Sequence, residues 1–382
     1  METSSRMSGI KMSGIRKMFE MAGDNAVHLG LGEPDFQPPE HVMDALNKAV
    51  REGHNKYSST FGLTPLREAL ARSYAAYGMD LGMDNIMVTA SATEALYATF
   101  NTYIGPGDEV LTPNPGFVLY DPQIRLAGGV PVNYRLSADE GFLPTVEGLK
   151  ALITPRTKAL VINSPSNPTG SVMSRDLMKV IADLAREHSL LLISDEVYDR
   201  IIYDGEHVTA MEYYDDCVVI NSFSKTIALT GWRLGYLASP SREIVEKISI
   251  SHYYVIACPS TPLQYGALAA LEQPEATDRY LRDMVSAFRG RRELIAGRIS
   301  EIEGLEIVMP AGAFYMFPSF DVDMKAGDLA MELARNGLIC SPGTAFGQFG
   351  EGHLRFSFAA SDETIGKGMD IVERTLREIS GR

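Results

Sequence analysis

The feature that most constrains this chain is an alternation. From about residue 86 to about residue 238, short β-branched apolar runs recur: NIMVTA, DEVLTPN, KALVINS, LLLISDE, CVVINSF and RLGYLAS. Runs this short and this apolar read as strands buried on both faces, which happens when helices cover a parallel sheet on both sides. Between them, DLMKVIADLAREH places Leu177, Val180, Ile181 and Leu184 on one helical stripe. The pattern predicts an α/β domain with a mostly parallel sheet covered by helices.

The C-terminal part reads differently. MVSAFRGRRELIAGRI and MDIVERTLREI are amphipathic, the second with Met369, Val372, Leu376 and Ile379 on one stripe, and they flank the strand-like GAFYMFP and HLRFSFA. We expect a large domain over 45–284 and a smaller α+β domain built from 1–44 and 285–382, an arrangement that 382 residues can supply.

Charge and cysteine usage narrow the function. A net charge of −14 argues against binding to nucleic acid or an anionic membrane, since both need a basic surface, but leaves room for a local basic pocket. Cys217, Cys258 and Cys340 form no CxxC pair and no disulfide framework, which fits a reducing compartment. The first residues lack the apolar core of a signal peptide, and runs such as LLLIS are too short to span a bilayer, so a cytoplasmic protein is expected. The seven histidines show no metal-ligand spacing, so no metal is expected. Gly30-Leu31-Gly32 is followed by Asp35 where a dinucleotide fingerprint needs its third glycine, and neither GxxxxGK[ST] nor HExxH occurs.

The unusual residues fall where strands end. ALVIN runs into SPSNPTG, LLLIS into DEVY, and VVIN into SFSKTIALTGWRLGY. In open parallel sheets, ligands bind beyond the carboxyl ends of the strands. One rim therefore receives Asn167, Asp195 with Tyr198, and Ser222, Ser224 and Lys225. A further strand, NIMVT, leads into a helix opened by Ser91, Ala92 and Thr93, and a helix start with free N–H groups is an anion site. SFSKTIALTGWRLGY holds Lys225 and Arg233 with no acid between them, which an anionic, amine-reactive ligand would explain. Pyridoxal 5′-phosphate uses all these groups: its aldehyde needs a lysine, its ring nitrogen an acid, its phosphate cations and N–H donors.

The chain resembles the class I (fold-type I) aminotransferases, and among them is most similar to archaeal aspartate aminotransferases and their aromatic-preferring relatives. The likeness runs from SGIRKMFE to the C-terminal helix, and is carried in order by LGEPDF, YSSTFGLTPLREAL, NSPSNPTG, SDEVYDRIIYDG, SFSKTIALTGWRLGY, GAFYMFP and LRFSFA. It implies the fold of that family and ping-pong transamination between an amino acid and a 2-oxo acid, with aspartate and 2-oxoglutarate as the leading pair. By the same resemblance Lys225 bonds the cofactor aldehyde and then moves the substrate Cα proton, and Arg233, Ser222, Ser224, Ala92 and Thr93 hold the phosphate. Asp195 pairs with the ring nitrogen, Tyr198 and Asn167 with the ring hydroxyl oxygen, and Phe117 stacks on the ring. Arg355 is expected to grip the substrate carboxylate beside Gly32 and Asn167. Tyr57 is expected to reach the phosphate in a partner subunit's site, which implies a homodimer with shared active sites.

Three alternatives stay open. Some bacterial aspartate enzymes of the family carry a lysine at the position aligned with Thr93, and this chain does not, so an aromatic or broad-range aminotransferase is the first. A C–S β-lyase keeping the same cofactor is the second. The third, a non-catalytic regulator with this fold, usually carries a basic DNA-binding extension, and neither such an extension nor a basic charge is expected here. Period two places Arg355 and Ser357 opposite Leu354, Phe356 and Phe358, but a solvated outer face would give the same alternation.

Overall fold

A computed structural model describes residues 4–7, 10 and 26–381. Residues 1–3, 8–9 and 11–25 of the N-terminal segment assigned to the smaller domain, and with them SGIRKMFE, lie outside the described residues. Seven strands form one sheet: β1 (Ile86–Thr89), β2 (Glu109–Asn114), β3 (Val130–Arg135), β4 (Thr157–Asn163), β5 (Leu191–Asp195), β6 (Cys217–Ser222) and β7 (Gly235–Ala238). Their spatial order is β1-β7-β6-β5-β4-β2-β3. Neighbours from β6 through β3 are parallel, and β7 runs antiparallel to both β6 and β1. The sheet is thus mostly parallel, as the apolar runs predict.

Period two explains why those runs are apolar throughout. Along β4, Leu160 and Ile162 enter one core with Ile181, Leu192 and Val219, while Ala159 and Val161 enter another with Leu96, Phe100, Ile193 and Val218. β3 is the strand that the sequence pattern misses. It is the edge strand, only Tyr134 of its six residues is buried, and its sequence VPVNYR mixes polar residues and a proline that an edge tolerates. The helix Arg175–Glu187, capped by Ser174, buries Met178, Ile181, Ala182, Leu184 and Ala185. Its buried face is therefore rotated from the expected stripe, and Val180 is exposed. Alanines at 182 and 185 let the helix approach the sheet closely, which sets the face.

The C-terminal elements build a separate core. After the helix Pro274–Ser300, Leu354–Ser357 pairs antiparallel with Tyr315–Met316 on one side and Ser341–Pro342 on the other. Val27–His28 pairs parallel with Leu338–Ile339, so this short strand joins the region. Leu29, Phe288, Phe314, Leu329, Phe356 and Val372 pack here under the helices Ala326–Arg335 and Asp362–Ser380. Among the described residues, no helix is long and apolar enough to cross a membrane.

Candidate active site

The strand ends converge on one pocket of about 290 Å³ between the large sheet and the C-terminal core. Gly32, Ala92, Thr93, Phe117, Asn167, Asp195, Tyr198, Ser222, Ser224, Lys225, Arg233 and Arg355 all line it. Of the residues expected at the site, only Tyr57 does not; it is 92% exposed on the surface of its own chain.

The antiparallel strand makes this convergence possible. Gly235 opens β7 and pairs with Thr89 at the carboxyl end of β1 and with Ser222 at the carboxyl end of β6. Arg233, just before the amino end of β7, therefore reaches the same rim as the carboxyl ends of its neighbours. A Cβ on Gly235 would lie 2.6 Å from the Ala92 nitrogen and 2.8 Å from the Asn221 oxygen, so only glycine lets the three segments meet. Arg233 (φ 54°) and Ser91 (φ 79°) both hold left-handed backbone, a strained state for a side-chain-bearing residue that clusters at functional sites.

The helix Ser91–Tyr103 begins at this junction, leaving the first N–H groups without helical partners. Beside it the Ser222 hydroxyl donates to Ser224 Oγ at 2.8 Å and accepts from the Ser224 amide at 3.0 Å. Arg233 sits exposed at the mouth, its Nη1 donating to the Thr230 carbonyl at 2.8 Å. These groups make an anion cup.

Lys225 and Asp195 occupy the centre. Lys225 Nζ donates to the Gly32 carbonyl at 2.6 Å. Burial pushes its amine down to about 8; Arg355 and Arg233 push the same way, while Glu33 and Asp195 oppose. Burial raises the Asp195 carboxyl to about 6, offset by the Tyr120 hydroxyl, which donates to Oδ2 at 2.6 Å, and by the Val197 amide. At neutral pH the acid is thus mostly ionised and roughly a tenth of the amine is neutral. Gly32 itself is dictated by crowding: a Cβ there would lie 2.2 Å from the Tyr315 hydroxyl.

Arg355 closes the far side. It is buried, with Nη1 donating to Asn167 Oδ1 at 3.0 Å and Nη2 to the Gly30 carbonyl at 2.5 Å and Ser341 Oγ at 3.4 Å. Its guanidinium stacks over Tyr315 at 4.4 Å and Phe346 at 4.7 Å. None of these partners is anionic, and Nε has no partner among the described residues. A buried guanidinium left with only neutral acceptors is poised for a carboxylate. The face of Arg355 is therefore the inner one, not a solvated one. Asn167 is itself fixed, its amide donating to Asn163 Oδ1 at 2.8 Å.

Three residues that shape the site had no role in the sequence reading: Tyr315 and Phe346, which line the pocket, and Tyr120, which backs Asp195. Tyr120 lies on the first turn after GF in NPGFVLY, close enough to Phe117 for an edge-on ring contact at 5.6 Å. Tyr315 bonds the Tyr198 hydroxyl at 2.7 Å. Its sequence neighbours give no hint of this, because the register Tyr315↔Ser357 that brings it beside Arg355 is non-local.

Comparison with known proteins gives the family. Residues 24–371 match the family model of the aminotransferases class I and II. An aspartate aminotransferase of Pyrococcus abyssi is 39% identical over 99% of both chains. The aromatic-amino-acid aminotransferase 2 of Thermococcus litoralis is 37% identical, again over 99% of both. The structure of Thermus thermophilus aspartate aminotransferase with maleate superposes with a TM-score of 0.94 at 34% identity, covering 98% of this chain and 100% of that one. The chain belongs to the class I and II aminotransferases.

Proposed function

We propose that this chain binds pyridoxal phosphate at the rim of its sheet and exchanges an amino group between an amino acid and a 2-oxo acid in two half-reactions, with aspartate and 2-oxoglutarate as the first pair. The observation that carries this is the company kept in one pocket: a lysine amine lowered to about 8, a buried acid near 6, and a buried arginine with no anionic partner. The residues fit the cofactor, since the cup of Ser222, Ser224, Arg233 and the helix start suits its phosphate and Asp195 suits its ring nitrogen.

When bound, the cofactor supplies an aldehyde for amines and an electron-withdrawing ring. Asp195, ionised at neutral pH, holds a proton on the ring nitrogen. Arg355 grips the α-carboxylate with its planar fork and so fixes the Cα–H direction. Lys225, with an amine near 8, takes the Cα proton and returns it on the other side of the transfer. Tyr198 and Asn167 hold the ring oxygen, and Phe117 covers the ring. Tyr57 serves a partner subunit's site. Support for that is its position at the exposed tip of a loop whose flanks are bonded: Lys56 O accepts from Thr261 Oγ1 at 2.7 Å, and Ser58 Oγ lies 3.2 Å from Gln264 Nε2. A homodimer follows from this reading.

A second reading, transamination of aromatic amino acids, is favoured by the lining. Its cations are Lys225, Arg233 and Arg355, all assigned above, while Leu31, Val118 and Phe346 add apolar surface and Thr93 is uncharged. Assays of aspartate, glutamate, tyrosine, phenylalanine and alanine against 2-oxoglutarate decide between the two.

The chemistry itself is tested at Lys225. Borohydride should fix the cofactor to the peptide containing Lys225. Lys225→Ala should still bind the cofactor but lose transamination by about 10³-fold or more. Near-normal turnover in that variant would remove the proposal.

A further inference from the structure

We propose that His252 is a positioning residue for phosphate binding: a buried imidazolium that cancels the charge of Glu94 in the first turn of the Ser91–Tyr103 helix and ties that turn to the loop carrying Tyr57. This rests on the reading of that turn as the cofactor's phosphate site.

His252 lies on the helix Arg242–Ile256 and is 0% exposed. Its Nδ1 is 3.0 Å and 3.1 Å from the two oxygens of Glu94, and its Nε2 is 2.9 Å from the Thr60 carbonyl. The Thr60 carbonyl can only accept, so Nε2 donates; with the Glu94 carboxyl ionised, Nδ1 donates as well and the ring carries a charge. Glu94 is also buried, and its Oε2 accepts from the Ala90 amide at 3.2 Å, just before the helix begins.

Glu94 therefore does two opposing things. It satisfies a helix-start N–H and suits the positive end of the helix. It also puts a fixed negative charge within the turn proposed to receive a phosphate, where a second anion is repelled. The imidazolium removes that conflict while leaving the cap in place. Its other nitrogen fastens Thr60, and the next residue, Phe61, is bonded through its carbonyl to the Val88 amide of β1 at 2.9 Å. One side chain thus links the phosphate turn of one site to the base of the loop whose tip is proposed to serve the neighbouring subunit.

Four apoproteins test this: wild type, H252Q, E94Q and E94Q/H252Q, each titrated with pyridoxal phosphate and, separately, with pyridoxal, which lacks the phosphate. H252Q should bind pyridoxal phosphate roughly ten- to a hundredfold more weakly, because Glu94 is left uncancelled. Its affinity for pyridoxal should change by less than about threefold. E94Q should bind close to wild type, and the double variant at least about threefold more tightly than H252Q, a coupling that general loosening of the helix does not give. The proposal is overturned if H252Q binds like wild type, if the double variant is no better than H252Q, or if pyridoxal loses as much as pyridoxal phosphate. Should H252Q not fold, the double variant is compared with E94Q instead. Agreement within about threefold supports the proposal and a larger loss overturns it. A wild-type chain that binds no pyridoxal phosphate at all would instead sink the proposed function.

Discussion

At the end of β5 two consecutive carboxylates are treated in opposite ways. Glu196 faces away from the pocket and is saturated: Oε1 accepts from Ser194 Oγ at 2.8 Å, Thr209 Oγ1 at 3.2 Å and the Ala210 amide at 3.1 Å, and Oε2 meets His207 Nε2 at 2.9 Å. Asp195 faces the pocket, bonded among the described residues to the Tyr120 hydroxyl and, by a long contact, to the Val197 amide. The buried arginines repeat the contrast. Arg292, 5% exposed, is paired with Asp204 and Glu293 and donates to the Pro310 carbonyl at 3.0 Å; Arg355, 4% exposed, has only neutral acceptors among the described residues. Burial is the same in each pair, so burial does not mark function. What marks it is buried charge that the chain itself leaves incompletely answered, and the energy withheld from folding is then available to a ligand.

The largest expected break between the two carboxylates comes from making each neutral. Asp195→Asn should cut transamination by about 10²- to 10⁴-fold, since the ring nitrogen loses its anionic partner. The same change should stabilise the apoprotein. The folded-state value of about 6 lies above the unfolded one near 3.8, so the native state holds its proton longer and stability is lost as pH rises from about 4 to about 6. The variant escapes that loss, an advantage of up to about 3 kcal/mol above pH 6 that vanishes below pH 4. Glu196→Gln should do the reverse, destabilising the fold by about 1–3 kcal/mol with little effect on turnover. Denaturation of the apoproteins across pH, set beside turnover, checks both; an apo Asp195→Asn protein less stable than wild type at neutral pH would break the comparison.

A smaller separation is expected between the arginines. Arg355→Leu should raise the KM for amino acids by about 10²-fold without lowering the apoprotein's melting temperature, because no ion pair is broken. Its positive charge also holds the Lys225 amine down, so that amine should titrate above its present value of about 8 in the variant. Arg292→Leu should lose about 1–3 kcal/mol of stability and keep wild-type KM. Steady-state kinetics and thermal melts on the two proteins separate the outcomes, and a KM unchanged in Arg355→Leu would move the proposed carboxylate clamp elsewhere.

How much of this was legible in the chain follows from how local each feature is. Six of the seven sheet strands announce themselves as apolar runs, and Asn167, Asp195, Ser222 and Lys225 follow directly from the runs that deliver them. β3 is hidden because an edge strand needs no continuous apolar sequence. Arg233 lies in a quoted motif, but its presence at the rim depends on β7 running backwards, which no local pattern states. Tyr315 and Phe346 meet Arg355 through strand register and loop packing across the C-terminal core, so their neighbours in sequence carry no signal. Tyr57 is the converse case: the resemblance assigns it a role, and within the described residues of a single chain what bears on that role is its exposure at the tip of a loop with bonded flanks.

The smallest effect sharpens the comparison most, because it changes how well Asp195 is answered without changing its charge. The Tyr120 hydroxyl is the shortest bond to that carboxylate and holds its value down against burial. Tyr120→Phe removes one buried oxygen, leaves the ring in contact with Phe117, and moves Asp195 one step further from the saturated state of Glu196. A hydrogen bond to a charged group is worth about 1.5–3 kcal/mol, so the acid should titrate roughly one to two units higher than its present value. Cofactor binding by the apoprotein, which needs the ionised acid, should then weaken roughly two- to tenfold at pH 7 and return to the wild-type level in more alkaline buffer. Titrations of wild type and Tyr120→Phe over a pH series read this directly. A loss that persists unchanged at high pH would mean that Tyr120 acts by packing alone, and that Asp195 owes its readiness to burial and not to the sparse bonding that sets it apart from its neighbour.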